Sequence, residues 1–212
     1  MAASPDDTRA ELLDRALDLF AAYGYDGVGV QQICNAAGVT KPTLYHHFGS
    51  KRGILESLME ERLAALFAAL ADPGAPHGEL AAGLTAIAEA TFAYAAAERT
   101  FYRLYLTLWF APIRSEAYEI ARRFHERHFA AVERYFRDAA RSDAALEGRG
   151  RALAAAFLGL VNNHIGLALN NYAALNARLA RETAAAFLYG AVPPPAAARG
   201  KAKAGKQVYR TV

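Results

Sequence analysis

The 212-residue chain has a single cysteine, Cys34, so it cannot form an internal disulfide or a cysteine-cluster zinc site. Its apolar runs, such as 152–161, fall well short of the roughly 18 to 20 residues that cross a bilayer. The first residues lack the basic stretch and apolar segment of a secretory signal. With 54% hydrophobic residues the chain is also too apolar for a disordered protein. We therefore expect a folded, cytoplasmic protein that does not contact membranes.

Strand-like alternation of apolar and polar residues is missing as well, whereas helical spacing recurs along most of the chain. No repeat of 30 to 45 residues is present, which argues against a helical solenoid. The fold class that we predict is all-α. The predicted helices lie at about 5–23, 30–37, 40–48, 51–70, 79–97, 99–110, 113–141, 149–172 and 176–190.

Acidic residues are absent from 27–55, although this segment contains Lys41, Lys51 and Arg52. Two short predicted helices lie in it, separated by Gly38, and this arrangement is typical of a helix-turn-helix whose second helix enters a DNA major groove. The three cations are expected to neutralise phosphates, while Thr43 and Tyr45 have both apolar and hydrogen-bonding reach toward bases. Apolar residues at suitable spacing for a small shared core are Ile33, Ala37, Val39, Leu44 and Phe48.

An ordered set of residues in this region resembles the tetracycline-repressor (TetR) family of transcriptional regulators. The resemblance covers about 9–56 and is carried by Gly24-Tyr25, Val30-Gln31-Gln32-Ile33, Ala36-Ala37-Gly38-Val39, Lys41, Thr43-Leu44-Tyr45-His46-His47-Phe48 and Ser50-Lys51. It implies DNA contacts by Thr40, Lys41, Thr43, Tyr45 and His46, with Lys51 holding a phosphate. One departure is Val28-Gly29, where the family has a hydroxyl residue, so that backbone amides must serve there instead.

The same resemblance implies two domains, and the composition adds a tail. A three-helix DNA-binding domain would span 1–50, and a larger helical domain for effector binding and dimerisation would span 51–192. The remaining 193–212 begins with three prolines and contains five cations but no acid. Because proline cannot continue a helix, we expect this basic tail to be disordered and dispensable for sequence recognition.

Aromatic residues concentrate in the second part, where we expect a pocket for a flat or apolar ligand. The segment at about 99–110 looks apolar on nearly every side, and a stripe from Ile113 to Tyr135 on the next helix is expected to face the core. His128 lies in this stripe, where a core histidine satisfied by protein groups is the first alternative and a ligand contact the second. The predicted pocket residues are Phe67, Phe92, Arg103, Tyr105, Trp109, Phe124, His128, Phe157 and Asn162.

Small residues on the helix at about 149–172 indicate close packing against another helix. Gly159 and Gly166 are one heptad apart, and each costs a helix interior about 1 kcal/mol relative to alanine. With Ala152, Ala155 and Asn162 they form a ridge. We expect the ridge to pack in a homodimer against Leu158, Val161, Ile165 and Leu169, although packing within one chain would explain it too.

Other chemistry finds little support in the sequence. His125 and His128 are three residues apart rather than the four of a helical zinc motif, and Gly27-Val28-Gly29 lacks a third glycine. We therefore predict no metal, no cofactor and no enzymatic activity. The expected function is sequence-specific repression, with release from a palindromic operator by a small hydrophobic or aromatic effector. The alternatives are a helical small-molecule carrier or enzyme, or an architectural protein that binds any DNA sequence.

Overall fold

The computed structural model describes residues 5–71 and 79–190, and within these ranges it contains nine α-helices, a short 3-10 helix and no strand. The helices are α1 (Pro5–Tyr23), α2 (Val30–Ala37), α3 (Lys41–Phe48), α4 (Lys51–Ala71), α5 (Leu80–Ala97), α6 (Arg99–Trp109), α7 (Glu116–Ala139), α8 (Gly150–Leu169) and α9 (Ala177–Tyr189). The all-α prediction is confirmed, and each predicted boundary lies within three residues of the observed one. The segment between the predicted helices at about 51–70 and 79–97 and the basic tail at 193–212 lie outside the described residues, apart from the residues at the helix ends.

Side-chain caps explain several of the helix starts. The Thr40 hydroxyl accepts a hydrogen bond from the Thr43 amide at 3.4 Å, and the Ser50 hydroxyl accepts one from the Gly53 amide at 3.0 Å. Helix α7 begins later than predicted because Ser115 caps it through the Tyr118 amide at 3.1 Å. Ile113 therefore precedes the helix and is 76% exposed, so the prediction that it faces the core is wrong.

A single cluster of buried apolar side chains runs from α1 to α9. Helix α4 is central to it, because this helix packs against α1, α3, α5 and α7. Its buried residues are Ile54, Leu55, Leu58, Met59, Leu63, Leu66, Phe67 and Leu70. The core is therefore continuous across residue 50, where the sequence predicts the boundary between two domains.

Polar contacts also join the first three helices to the rest of the chain. The Tyr25 hydroxyl donates to Glu116 at the start of α7. On another side, Arg62 of α4 pairs with Asp14 of α1 and lies 3.5 Å from Glu98. The partly exposed Arg62 ion pairs contribute at most about 1 kcal/mol each, so they orient the helices more than they stabilise them. Tyr25 is buried, so its hydrogen bond to a carboxylate contributes about 1.5 to 3 kcal/mol.

Helix α6 is less buried than its composition suggests. Its inner face is formed by Phe101, Tyr102, Leu104, Tyr105 and Leu108. Its other face exposes Arg103 and Thr107, and Trp109 at its end is 53% exposed. The prediction of a helix that is apolar all round is wrong. Its apolar residues recur at helical spacing on one face, and its polar residues lie on the other.

Helices α5 and α8 are long and apolar enough to cross a membrane, judged by length and composition alone. Core helices of soluble bundles often have the same properties. In this fold α5 packs against α9 and α4, and α8 packs against α7. We interpret both as core helices of the bundle.

The junction of α3 and α4 predicts a strong effect of one substitution. A Cβ on Gly53 would lie 2.0 Å from the Phe48 carbonyl oxygen, which is backbone and cannot rotate away. Gly53→Ala should therefore reduce the free energy of unfolding by about 2 kcal/mol or more in urea titrations. The control is Gly29→Ala, where φ is −94° and the nearest heavy atom would be 3.6 Å away. Equal small losses in both variants would contradict this close junction.

Candidate nucleic-acid interface and ligand site

The helix-turn-helix is built by local interactions in 29–48. Helix α2 begins at Gly29, whose amide donates to the Gln32 side-chain oxygen at 2.7 Å. This glutamine replaces part of the cap that a hydroxyl residue would have supplied. Gly38 ends the helix at φ 66°, a left-handed conformation that favours glycine and turns the chain toward α3. Ile33, Leu44 and Phe48 are buried between the helices, which confirms the expected shared core.

Helix α3 presents a polar face to solvent at its N-terminal end. Lys41, Tyr45 and His46 are exposed, and Tyr45 has 46% of its surface free. The Thr40 and Thr43 hydroxyl oxygens lie 2.9 Å apart at the same end, so the cap occupies part of their hydrogen-bonding capacity. The structure therefore brings the five predicted base-region contacts together on one short helix. Its size and exposure suit insertion into a major groove.

Lys51 has a structural role that the sequence analysis missed. Its ammonium donates to the carbonyl oxygens of Tyr25 and Val28, each at 3.0 Å, and lies 4.1 Å from the centre of the Tyr25 ring. It thereby fastens the segment between α1 and α2 to the start of α4. Because an ammonium has three N–H bonds, one remains for a phosphate.

Arg52 is also less free than its sequence context suggests. It lies 3.1 Å from Glu56, 3.9 Å from Glu116 and 3.7 Å from Glu119. The expectation that Arg52 is available for phosphates therefore needs correction, since distant carboxylates on α7 were invisible in the local charge pattern. Lys41, in contrast, makes no ion pair within the described part of the chain.

Cys34 is completely buried in α2. Burial raises the pKa of its thiol, which disfavours the reactive thiolate. Its surroundings therefore favour the role of a small apolar packing group.

Five residues of α4, α6 and α7 form an aromatic group that we call the histidine cluster: Phe67, Tyr105, Phe124, His125 and His128. The Tyr105 ring stacks on His125 with centroids 4.1 Å apart, and Phe67 meets the His128 ring edge-on at 6.4 Å. The Tyr105 hydroxyl lies 3.5 Å from the Phe124 carbonyl oxygen. Trp109 covers one side, with its ring centre 4.7 Å from that of His125. Four of the predicted pocket residues thus belong to this cluster, and Trp109 borders it.

The remaining predicted pocket residues take part in other contacts. Phe92 meets His164 at 6.2 Å, and Phe157 meets Phe187 at 5.3 Å. Arg103 donates to the Leu169 carbonyl oxygen at the end of α8. The Asn162 side-chain oxygen accepts from the Tyr102 hydroxyl at 3.0 Å. The nine predicted residues therefore do not form one pocket in this conformation, because helix periodicity indicates inward faces but not which faces meet.

His125 was absent from the predicted site, yet it is as unusual as His128. The Nε2 atoms of both rings are buried and have no hydrogen-bond partner among the described residues. Burial lowers the pKa of His125 to about 3 and that of His128 to about 4, so both rings are neutral near pH 7. Native proteins rarely leave buried polar atoms unpaired, and each such atom therefore needs an explanation.

A separate cleft of about 420 Å³ lies between α1, α4 and the start of α6. Its lining includes Arg62, with which the carboxylates of Asp14 and Glu98 both pair. These charged groups make it unsuitable for the apolar ligand that the sequence suggests. No group of three or more His, Cys, Asp or Glu side chains is placed to hold a metal ion within the described ranges.

The outer face of α8 carries small and apolar residues. Ala152, Ala155, Gly159, Leu160 and Leu167 are exposed. The larger residues expected to join a partner are instead buried within the same chain, namely Leu158, Val161, Ile165 and Leu169. This part of the prediction is wrong, because these four side chains point to the opposite side of α8 from the exposed row.

Comparisons with known proteins identify the first part of the chain. Residues 12–58 match the family model described as bacterial regulatory proteins, tetR family. The transcriptional repressor AcnR of Corynebacterium glutamicum is 31% identical over 70 residues, which are 33% of this chain and 37% of that protein. The repressor KstR2 of Rhodococcus jostii is 42% identical over 59 residues, 28% of this chain and 29% of its own length. The chain thus matches only about a third of the length of these curated relatives.

Solved structures share the fold over most of the chain. The transcriptional regulator FadR of Bacillus subtilis, solved in complex with stearoyl-CoA, superposes with a TM-score of 0.72. The match covers 86% of this chain and 99% of that one at 18% identity. At this identity the similarity concerns the fold alone. It extends beyond the helix-turn-helix to the larger helical part.

The buried histidines predict a specific loss of stability in mild acid. Because their pKa values lie below the ordinary 6.5 in the folded state, the unfolded chain takes up protons first as the pH falls. The fold keeps its full stability above about pH 6.5 and loses it progressively as the pH falls toward the folded-state pKa values of about 4 and about 3. At about 1.4 kcal/mol per pKa unit, we expect the free energy of unfolding to fall by about 2 to 4 kcal/mol between pH 7 and pH 5.

Urea titrations at the two pH values measure this loss. A variant with both His125→Leu and His128→Leu should lose much less stability between them, whereas His164→Leu should behave like the unmodified protein. An unchanged pH dependence in the double variant would contradict the assignment.

Proposed function

We propose that this chain, whose residues 12–58 belong to the tetR family of bacterial regulatory proteins, binds duplex DNA sequence-specifically as a transcriptional regulator. The observation that carries the proposal is the exposed face of α3, with Lys41, Tyr45 and His46 on a helix of eight residues. Phosphate contacts hold such a helix in register, and contacts with base edges give it specificity. A cytoplasmic location is part of this proposal, because the DNA has to be accessible.

Repression relieved by a small molecule is the mode of regulation that we favour. A ligand can release DNA only if it binds one arrangement of the protein more tightly than the other. Helix α7 offers a physical connection, since it carries both histidines of the histidine cluster and Glu116, which contacts Tyr25. Tyr25 also supports Lys51 at the start of α4. A ligand that displaces α7 would thereby move the segment that leads into α2.

The functional unit that we propose is a homodimer joined through α8 and α9. The exposed row of small residues on α8 would let a second copy approach closely, and two-fold symmetry would match a palindromic operator. Two α3 helices would then occupy successive major grooves on one side of the duplex.

Selection of bound fragments from a random duplex library tests the DNA-binding proposal. We expect an enriched palindromic sequence, bound with an affinity that falls steeply with salt. Lys41→Ala should weaken binding to all sequences alike, and it should reduce the slope of log affinity against log salt concentration by about one unit. Tyr45→Ala should instead reduce the affinity ratio of selected to scrambled duplex by about tenfold.

The matched control is Tyr172→Ala, which removes a tyrosine that is 80% exposed and lies beyond α8. It should change neither affinity nor selectivity. Unaltered selectivity in Tyr45→Ala would assign base recognition to other residues. Failure to enrich any sequence would contradict the proposed function and favour a small-molecule carrier.

The dimer proposal predicts the effect of a large side chain at Gly159. A Cβ at this position has no heavy atom within 4 Å in the described protomer, so Gly159→Arg should leave the monomer folded. We expect it to weaken the dimer by about 100-fold or more in sedimentation equilibrium, because the arginine would occupy the space of the partner helix. Ala130→Arg, on the exposed side of α7, is the control. A micromolar monomer for the unmodified protein would contradict the proposal.

A further inference from the structure

The histidine cluster combines two features that a folded protein normally avoids. His125 and His128 each bury an Nε2 atom without a partner among the described residues. Trp109 at the end of α6 lies 4.7 Å from the His125 ring and is 53% exposed, and the segment that follows it before α7 exposes Phe110 at 84% and Ile113 at 76%. A single bound molecule with a polar head and an apolar body would satisfy both.

The polar atoms around Tyr105 restrict where such a head could bind. The Tyr105 hydroxyl is 3.4 Å from the Nδ1 atom of His128 and 3.5 Å from the Phe124 carbonyl oxygen. These groups can use each other as partners. The Nε2 atoms of the two imidazoles are therefore the places where a ligand would gain most from a hydrogen bond.

The charges around the cluster favour an uncharged head. Arg127 lies over Phe67 at 4.3 Å but is also 3.3 Å from Glu60. Arg123 lies over Phe124 at 4.9 Å and is 3.4 Å from Glu56. Both guanidinium groups already have carboxylate partners on α4. A buried carboxylate on the ligand would have no free cation to offset its desolvation, and burial also keeps both imidazoles neutral.

We propose that His125 and His128 bind the hydroxyl group of an uncharged, largely apolar small molecule whose body packs against Trp109, Phe110 and Ile113. A hydroxyl group suits this site because it donates one hydrogen bond and accepts others. It can donate to the Nε2 lone pair of one neutral imidazole and accept from the Nε2–H of the other. This inference rests on the proposed function only in assuming that the cluster is the effector site.

Trp109 allows a direct binding test, because it is the only tryptophan in the chain. Its emission can be recorded while the intact protein is titrated at pH 7.5 with decanol, decyl methyl ether or decanoate. The ether accepts but cannot donate, and the acid is charged. We expect decanol to shift the emission to shorter wavelength and saturate, with an affinity at least about tenfold above that of either other compound. Equal affinities for all three, or tighter binding of decanoate, would overturn the proposal.

Variants locate the binding site. His125→Leu and His128→Leu should each reduce decanol affinity about tenfold. The variant that removes the imidazole accepting the hydroxyl proton should leave the affinity for the ether nearly unchanged, because the ether has no proton to donate. Each should also raise the thermal midpoint, because it removes an unpaired buried nitrogen. His164→Leu is the matched control, since His164 lies on α8 against Phe92 and should leave decanol binding intact. If His164→Leu weakened decanol binding as much as the other two, the site would be elsewhere.

The same probes separate this inference from the proposed function. Decanol that binds with the expected preference but leaves duplex affinity unchanged would support the site and contradict effector-controlled release. Decanoate that releases duplex while decanol does not would support release and overturn the ligand chemistry assigned here.

Discussion

Helix α4 imposes the constraint on which the rest of the structure depends. It packs on α1 and α3 of the first part of the chain and on α5 and α7 of the second, so one helix belongs to two groups of helices. At 21 residues it is about 31 Å long. Its first residue, Lys51, holds the segment between α1 and α2, whereas Phe67 lies in the histidine cluster. Neither group can tilt far without moving the other.

Helix α7 provides a second connection between the same two groups of helices. Glu116 at the start of the helix accepts from Tyr25 and lies near Arg52, while His125 and His128 lie two to three turns further on. The unpaired nitrogens and the exposed apolar side chains are energetically unfavourable in the free protein. Such groups are common where a protein is built to change its contacts upon binding, because a ligand that pairs them gains affinity from that cost.

The features that were predictable from sequence are those determined by neighbours in the chain. Thr40 as a cap, Gly38 as a left-handed stop and the two short helices of the helix-turn-helix depend on residues within one or two turns. The exposed face of α3 was predictable from the helical spacing of its polar and apolar residues. Local patterns of this kind also carried the family resemblance, which is concentrated in the part that the tetR model matches.

The features that were not predictable depend on residues far apart in the chain. Glu116 and Glu119 pair with Arg52 although they lie more than 60 positions away in the sequence. A count of the charges near Arg52 therefore could not predict these ion pairs. His125 was set aside because its spacing to His128 does not suit zinc, yet the stacking of Tyr105 gives it a place in the cluster. Likewise, Val161 and Ile165 were assigned to a partner, although only the packing of α8 on α7 decides which face is buried.

Native-state hydrogen exchange tests most directly whether α4 joins both groups of helices into one cooperative unit. The opening free energies of amides in 12–20 of α1 and 120–132 of α7 are compared as denaturant is raised. Because both segments are buried against α4, the account predicts that their values converge on the same global free energy of unfolding. Amides in α1 that open at a free energy lower by about 2 kcal/mol or more, independently of α7, would contradict it.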